Sequence, residues 1–252
     1  MANHARELAE SALRDRKLDR TLTTALPPLE RVDAAALAAT AVTPLDATLR
    51  GGLPRGQLSE VVGARSSGRT TLVLQCLAAA TARGEIAALI DTCDRLDVAT
   101  ALAAGVDLDR LLWVRGQGSE RTAQSAQATV ERAVDRALKA LNLVLQAGGF
   151  GVVAIDLVDV APAVLRRLPF TTWMRVQRAI EGSDTACVLL ASEPLARSAG
   201  GLTLSLAGRA SWTGAACRSW RLERLEIATR VISPRRRVDG EVTVGALAID
   251  ER

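Results

Sequence analysis

An apolar run, Leu58-Ser-Glu-Val-Val62, feeds straight into Gly63-Ala-Arg-Ser-Ser-Gly-Arg-Thr-Thr-Leu72, and a helical pattern over 70–83 follows without a break. Strand, glycine turn and helix in that order form a phosphate-binding loop. In a loop of the form G-x-x-x-x-G-K-[ST], successive backbone N–H groups surround phosphate oxygens, the lysine reaches the β/γ-phosphates and the hydroxyl holds Mg²⁺. Here Gly63, Gly68 and the hydroxyl of Thr70 are present, with Ser66, Ser67 and Thr71 beside them, but the cation is Arg69. An ammonium is a compact point charge on a flexible stem and a guanidinium is a wide planar fork, so the exchange is not conservative in a tight loop. Two readings stay open: weak nucleotide binding, or a vestigial loop whose glycines serve positive φ and whose hydroxyl starts the helix.

At 252 residues and 48% apolar content the chain can bury a sizeable core. Aromatic residues make up only 2%, with two Phe, four Trp and no Tyr, which leaves little material for stacking single-stranded bases. A net charge of +4 permits contact with a polyanion without requiring it. Only Lys17 and Lys139 are lysines, so the arginine at 69 belongs to a chain-wide preference. Cys76, Cys93, Cys187 and Cys217 form no C-x-x-C pair and His4 is the sole histidine, which argues for buried free thiols and against a zinc or other metal site. No apolar run reaches signal-peptide or membrane-span length, so a cytoplasmic location without membrane contact is expected.

Along the chain, residues 4–21 place Leu8, Ala12 and Leu13 on one helical stripe, and a short alanine-rich helix is expected over 34–39. Residues 1–42 read as an N-terminal helix and linker, and 43–252 as the core. Helices are expected over 70–83, 95–104, 123–146 and 169–182, alternating with strands at 87–91, 111–114, 151–155 and 186–191. That alternation predicts an α/β fold, a mostly parallel sheet with helices on both faces. The strand 151–155 ends in Asp156, at the carboxyl end where open α/β sheets bind ligands. A β-rich tail starts at about 202, with strands at 202–206, 220–225, 229–233 and 242–249 and turns at Gly208, Gly214 and Gly240. Arg235-Arg-Arg237 falls in the last of these turns and reads as a solvated loop.

Five linked motifs between 45 and 160 resemble the RecA recombinase family: Leu45-Asp-Ala-Thr-Leu-Arg-Gly-Gly-Leu-Pro-Arg-Gly-Gln-Leu-Ser-Glu60, the glycine loop, Ile90-Asp-Thr-Cys-Asp-Arg-Leu-Asp97, Ala104-Gly-Val-Asp-Leu-Asp-Arg-Leu-Leu112 and Val153-Ala-Ile-Asp156. The resemblance implies a RecA-like core in which Asp156 organises Mg²⁺. The short chain and the segment Leu145-Gln-Ala-Gly-Gly-Phe-Gly-Val-Val153 look most like the ImuA branch, RecA-like accessory factors that act beside an error-prone Y-family polymerase homologue in damage-induced mutagenesis. RecA and such a polymerase homologue are then the implied partners, with the stripe of Leu8, Ala12 and Leu13 as the docking helix.

Departures from the family pattern bear on mechanism. The family's water-orienting glutamate matches Cys93 here, and a thiol with an ordinary pKa near 8.5 is no carboxylate base. Asp94 and Asp97 lie close in sequence but out of register. No catalytic residue is therefore assigned, and Mg-ATP is not expected as a working cofactor. The segments matching the family's DNA loops are short, with Arg166 and Arg167 in one and Arg197 in the other, which allows weak nonspecific DNA contact at most. The expected function is an ATPase-deficient accessory protein of the DNA-damage response; the alternative is a DNA-stimulated ATPase of the recombinase type.

Overall fold

The computed structural model describes residues 34–116, 126–196, 201–214, 221–232 and 240–247, all within one compact unit, Ala34–Arg252. The helix expected over 4–21, with Leu8, Ala12 and Leu13, lies outside the described residues, as do Arg197, Cys217, Trp220 and Arg235 to Arg237.

A 3-10 turn, Ala34–Ala36, leads into β1 (Leu37–Ala38), α1 (Thr43–Leu49), β2 (Leu53–Pro54) and β3 (Gln57–Gly63). After β3 come α2 (Arg69–Ala82), β4 (Ile86–Asp91), α3 (Val98–Ala103), β5 (Leu111–Arg115), α4 (Ala126–Ala147) and β6 (Phe150–Asp156). The chain continues through α5 (Pro162–Leu165), α6 (Phe170–Ile180), β7 (Ala186–Ala191), β8 (Thr203–Thr213), β9 (Arg221–Ile232) and β10 (Gly240–Leu247). The main sheet has eight strands in the order β10-β9-β8-β3-β7-β6-β4-β5. From β8 to β5 every neighbour is parallel, whereas β8, β9 and β10 form an antiparallel meander.

Alternation along the central strands splits the core into two layers, because successive side chains leave a strand on opposite faces. Ala87, Leu89, Val152, Ala154, Val188 and Leu190 pack with α1, α2 and α3 on one face. Ala88, Ile90, Val153, Ile155, Cys187 and Leu189 pack with α4, α5 and α6 on the other. Every residue of β7 is buried, as a parallel strand covered on both faces requires. The α/β class, the mostly parallel sheet and the helices on both faces are as the sequence predicts. Among the described residues no helix is long and apolar enough to cross a membrane.

Several expected elements differ. The helix expected over 34–39 is a single 3-10 turn followed by β1, whose Leu37 and Ala38 pair antiparallel with Pro54 and Leu53. Burial and the ladder override alanine's helix propensity there. The helix expected from 95 starts only at Val98, because the Asp91 carboxylate accepts the backbone N–H groups of Arg95 and Leu96 and Asp97 caps the first turn by accepting from Thr100. In the tail, Gly208 is not a turn: it lies inside β8 opposite Ile227. The two strands expected at 220–225 and 229–233 are one, β9, which follows β8 to Thr213 with a bulge between Ser211 and Trp212.

The amino ends of the strands are tied by Arg55. Its Nε donates to the Leu37 carbonyl at 3.2 Å, Nη1 to the Asp184 carbonyl at 2.6 Å and the Gly151 carbonyl at 3.3 Å, and Nη2 to Glu85 Oε1 at 2.6 Å. One side chain thus links the β1, β4, β6 and β7 ends with a geometry only a guanidinium provides. Arg55→Ala should lower the unfolding free energy by about 2–4 kcal/mol, since it leaves carbonyls and Glu85 without their donor. Arg55→Lys should recover less than half of that loss, read as urea midpoints.

Candidate nucleotide site

β3 delivers the chain to Gly63 and α2 takes it away from Arg69, so the glycine loop sits at the carboxyl end of the sheet, between β8 and β7. Ala64, Arg65 and Ser66 face solvent, as do Thr70 and Thr71, whereas Ser67, Gly68 and Arg69 are buried. Gly68 has φ +90°, and a Cβ there would lie 2.2 Å from Ile227 Cδ1. On the neighbouring strand, a Cβ on Gly208 would lie 2.3 Å from the Ser66 carbonyl oxygen. The β8–β9 hairpin therefore lies directly against the loop. The first backbone N–H groups of α2, at Arg69, Thr70 and Thr71, have no backbone acceptor among the described residues, which leaves an open helix N-terminus.

Arg69 decides what that N-terminus can do. Its side chain does not reach outward over the helix end. The residue is only 5% exposed, and Nη1 donates to the Ala191 carbonyl at the end of β7 at 2.7 Å. Burial lowers its pKa, opposed by the nearby charges of Asp156 and Asp159. The guanidinium thus ties α2 to the carboxyl end of β7, with the charges of Asp156 and Asp159 nearby.

Beside Thr70 a cleft of about 220 Å³ opens between α2 and the 91–100 segment, and Asp91, Asp97, Asp156 and Asp159 line it. Asp91 accepts from the N–H groups of Arg95 and Leu96 and, at 3.2 Å, from the Trp113 indole. Asp156 accepts from the Val158 N–H at 2.8 Å, and burial, reinforced by Asp91 and Asp159, pushes its carboxyl up to about 6. Asp159 bridges to Arg95 at 3.2 Å and Arg65 at 3.4 Å. Cys93 is half-buried, not fully buried as expected for this thiol, and burial followed by the charges of Asp159, Asp156 and Asp91 pushes it up to about 11. Cys76 and Cys187 are buried free thiols, as expected.

Neither acid next to Cys93 in sequence takes over its place. Asp94 is gripped by Arg115 through two hydrogen bonds, 2.8 and 2.9 Å, with Arg115 stacked on Trp113 at 4.5 Å. Asp97 is the cap of α3. The arginines proposed for DNA are also paired: Arg166 holds Glu193 through two bonds of 2.8 and 2.9 Å, and Arg167 meets Glu131 at 3.0 Å. Sequence reasoning missed Ile227, Gly208 and Glu60. Glu60 is 1% exposed, its Oε1 accepts the N–H groups of Leu195 and Ala196 at 2.7 Å, and Oε2 accepts the Thr203 hydroxyl at 3.2 Å. A lone carboxylate inside the apolar run 58–62 is the signal that marks it.

Comparisons with known proteins agree with this geometry. A family model described as the RecA N-terminal domain matches residues 24–163, more than half of the chain. The chain is similar to Protein RecA of Clostridioides difficile (strain 630), 45% identical over 80 residues, covering 32% of this chain and 23% of that protein. It is similar to Protein RecA of Synechococcus elongatus, 48% identical over 68 residues, covering 27% of this chain and 19% of that protein. For Protein RecA of Nitratiruptor sp. the identity is 50% over 62 residues, 25% of this chain and 18% of that protein. The chain thus spans less than a quarter of the length of these relatives.

The half-buried Asp156 gives a pH dependence with a definite sign. Its carboxyl titrates near 6 in the folded chain against an ordinary 3.8, so the folded state keeps a proton that the unfolded state has lost, and stability falls as pH rises from about 4 to about 6. Asp156→Asn keeps the acceptor for Val158 and removes the charge. It should raise stability by about 2–3 kcal/mol at pH 7.5 and leave it nearly unchanged at pH 4, measured by urea unfolding at both values.

Proposed function

The chain belongs to the RecA N-terminal domain family, and from that premise we propose that it is an ATPase-deficient, RecA-like accessory protein of the DNA-damage response. Its place is in error-prone translesion synthesis, in the manner of the ImuA branch, and it acts in the cytoplasm by binding RecA and/or a Y-family polymerase homologue.

The observation that carries this reading is the Arg69 side chain. Phosphoryl transfer needs a cation on the transferring group and a group that positions the attacking water. Arg69 donates to the Ala191 carbonyl from a buried position, and Cys93, pushed up to about 11, stays a neutral thiol at physiological pH. Asp94 and Asp97 are held by Arg115 and Thr100. The residues present therefore do not fit Mg-ATP as a working cofactor, although Gly63, Ser66, Ser67, Gly68, Thr70 and Thr71 retain the outline of its loop. The pairing of Arg166 with Glu193 and of Arg167 with Glu131 supports weak DNA contact only, since each arginine charge is already matched. What remains to a chain of this kind is protein recognition, with the stripe of Leu8, Ala12 and Leu13 as the docking helix.

One observation favours slow, DNA-stimulated ATP turnover as a second reading: Thr70 and Thr71 are exposed at the open start of α2. A phosphate-release assay separates the two. The full chain with Mg-ATP and single-stranded DNA is expected to show no turnover above a Thr70→Ala control, whereas DNA-dependent turnover abolished by Thr70→Ala overturns the proposal. A pull-down addresses the partner: immobilised full chain should retain purified RecA, and the pair Leu8→Asp and Leu13→Asp should cut retention at least tenfold without shifting the melting temperature of the core. Equal retention by both chains rules out that helix as the docking element.

A further inference from the structure

Charge is unevenly placed along this chain. Residues 160–180 carry four arginines, Arg166, Arg167, Arg175 and Arg178, and no aspartate or glutamate, so one short stretch holds an excess equal to the net charge of +4 of the whole chain. It folds as α5 and α6 on the face of the sheet opposite α2, where Trp173, Val176 and Ile180 bury one side of α6. The other side of α6 is only partly polar. Phe170 is 46% exposed and Met174, one turn on, is 40% exposed. At helical spacing Arg178 continues that stripe, with Thr171 and Arg175 exposed beside it. Arg166 and Arg167 already meet Glu193 and Glu131, whereas among the described residues Arg175 and Arg178 form no ion pair. Pro169 leaves the start of α6 without a side-chain cap, so the positive end of the helix adds to the excess.

We propose that the outer stripe of α6 is a docking surface for an acidic amphipathic helix of a partner polypeptide. A helix laid along α6 sets apolar residues three and four apart against Phe170 and Met174, and carboxylates flanking its apolar stripe reach Arg175 and Arg178. Both halves of the surface are then used. Two large side chains that stand half in water leave it, and two guanidiniums without an ion pair gain charge-assisted hydrogen bonds. The unbranched thioether of Met174 adapts to the aliphatic side chain that meets it. A nucleic-acid strand matches the charge alone: its phosphates meet the arginines, but Met174 has no planar face for a base, and Trp173 is buried at 2% exposure. A second copy of this chain brings the same arginines to a two-fold contact, where like charges oppose each other. Charge and exposed apolar area together therefore select an acidic, amphipathic polypeptide. The surface involves neither the glycine loop nor the stripe of Leu8, Ala12 and Leu13, so this inference goes beyond the preceding reading and does not depend on it.

The test uses the full chain and a fluorescein-labelled peptide, acetyl-Glu-Ala-Leu-Asp-Glu-Leu-Leu-Glu-Ala-Leu-Glu-Glu-Leu-Ala-amide, read by anisotropy at low and at moderate salt. In the matched control every carboxylate of the peptide is replaced by its amide, which keeps shape and removes charge. Saturable binding of the acidic peptide, weakened roughly tenfold or more by the amide replacement and by raised salt, is expected. Two double variants separate the halves of the surface. Phe170→Ala with Met174→Ala, and Arg175→Gln with Arg178→Gln, should each weaken binding about fivefold or more. Neither should lower the melting temperature by more than a few degrees, since all four side chains are exposed. Leu102→Ala, at an exposed leucine of α3 on the other face of the sheet, should leave binding unchanged. Equal affinity for the acidic and amide peptides, unchanged affinity in either double variant, or no saturable binding overturns the proposal. An oligothymidylate labelled in the same way forms the other arm. If it binds more tightly than the peptide, is weakened by the arginine pair and is indifferent to the Phe170 and Met174 pair, the surface belongs to nucleic acid and the proposal falls.

Discussion

Close backbone approach around β3 is the constraint on which the rest of this structure depends. The strand is paired on both edges, with β7 and β8, and continues into the glycine loop without relaxing either contact. At four places the packing leaves no room for a side chain. A Cβ would lie 1.9 Å from the Leu58 carbonyl oxygen if built on Gly201, 2.3 Å from that of Leu206 if built on Gly63, 2.3 Å from that of Ser66 if built on Gly208, and 2.2 Å from Ile227 if built on Gly68. At Gly201, Gly63 and Gly208 the neighbour is backbone, which cannot yield as a flexible side chain does, and Gly68 has a φ of +90°, so these positions hold glycine for the fold, whatever the loop binds. That gives a physical reason for the glycine loop's outline beside an arginine bonded to the Ala191 carbonyl.

Fixing β3 also fixes its neighbours. Glu60 sits between the two adjoining strands, and its carboxylate collects the backbone of Leu195 and Ala196 on one side and the Thr203 hydroxyl on the other, so the segments flanking β7 and β8 are anchored to the strand that feeds the loop. Ser59 adds the N–H of Leu202. A buried carboxylate is tolerable only because each oxygen is satisfied. At the opposite end of the sheet Arg55 plays the complementary role with carbonyls. The sheet is thus held at its amino ends by a cation collecting acceptors and at the middle of β3 by an anion collecting donors.

Between these anchors the site is governed by where charge ends up. Thr70 and Asp156 line the same cleft, whose rim is made of aspartates, while Arg69 donates to the Ala191 carbonyl at the carboxyl end of β7. The half-buried Cys93 stands in their field as a neutral thiol.

The sequence alone determined the class of fold, the order of its central elements, the glycine loop and the exchanged cation, because a buried parallel strand needs a continuous apolar run, a loop-to-helix turn needs glycine at set spacing, and a motif residue is visible by identity. It did not determine the alanine-rich segment before α1, where Leu37 and Ala38 join a ladder with Pro54 and Leu53 and local propensity loses. Nor did it distinguish Gly208 in a turn from Gly208 under a neighbouring loop, since both call for a missing side chain. The directions of Arg69, Arg166 and Arg167 were decided only in three dimensions: a sequence records that a charge exists, whereas its partner is chosen by which carbonyl or carboxylate folding brings within reach, Ala191, Glu193 and Glu131 here.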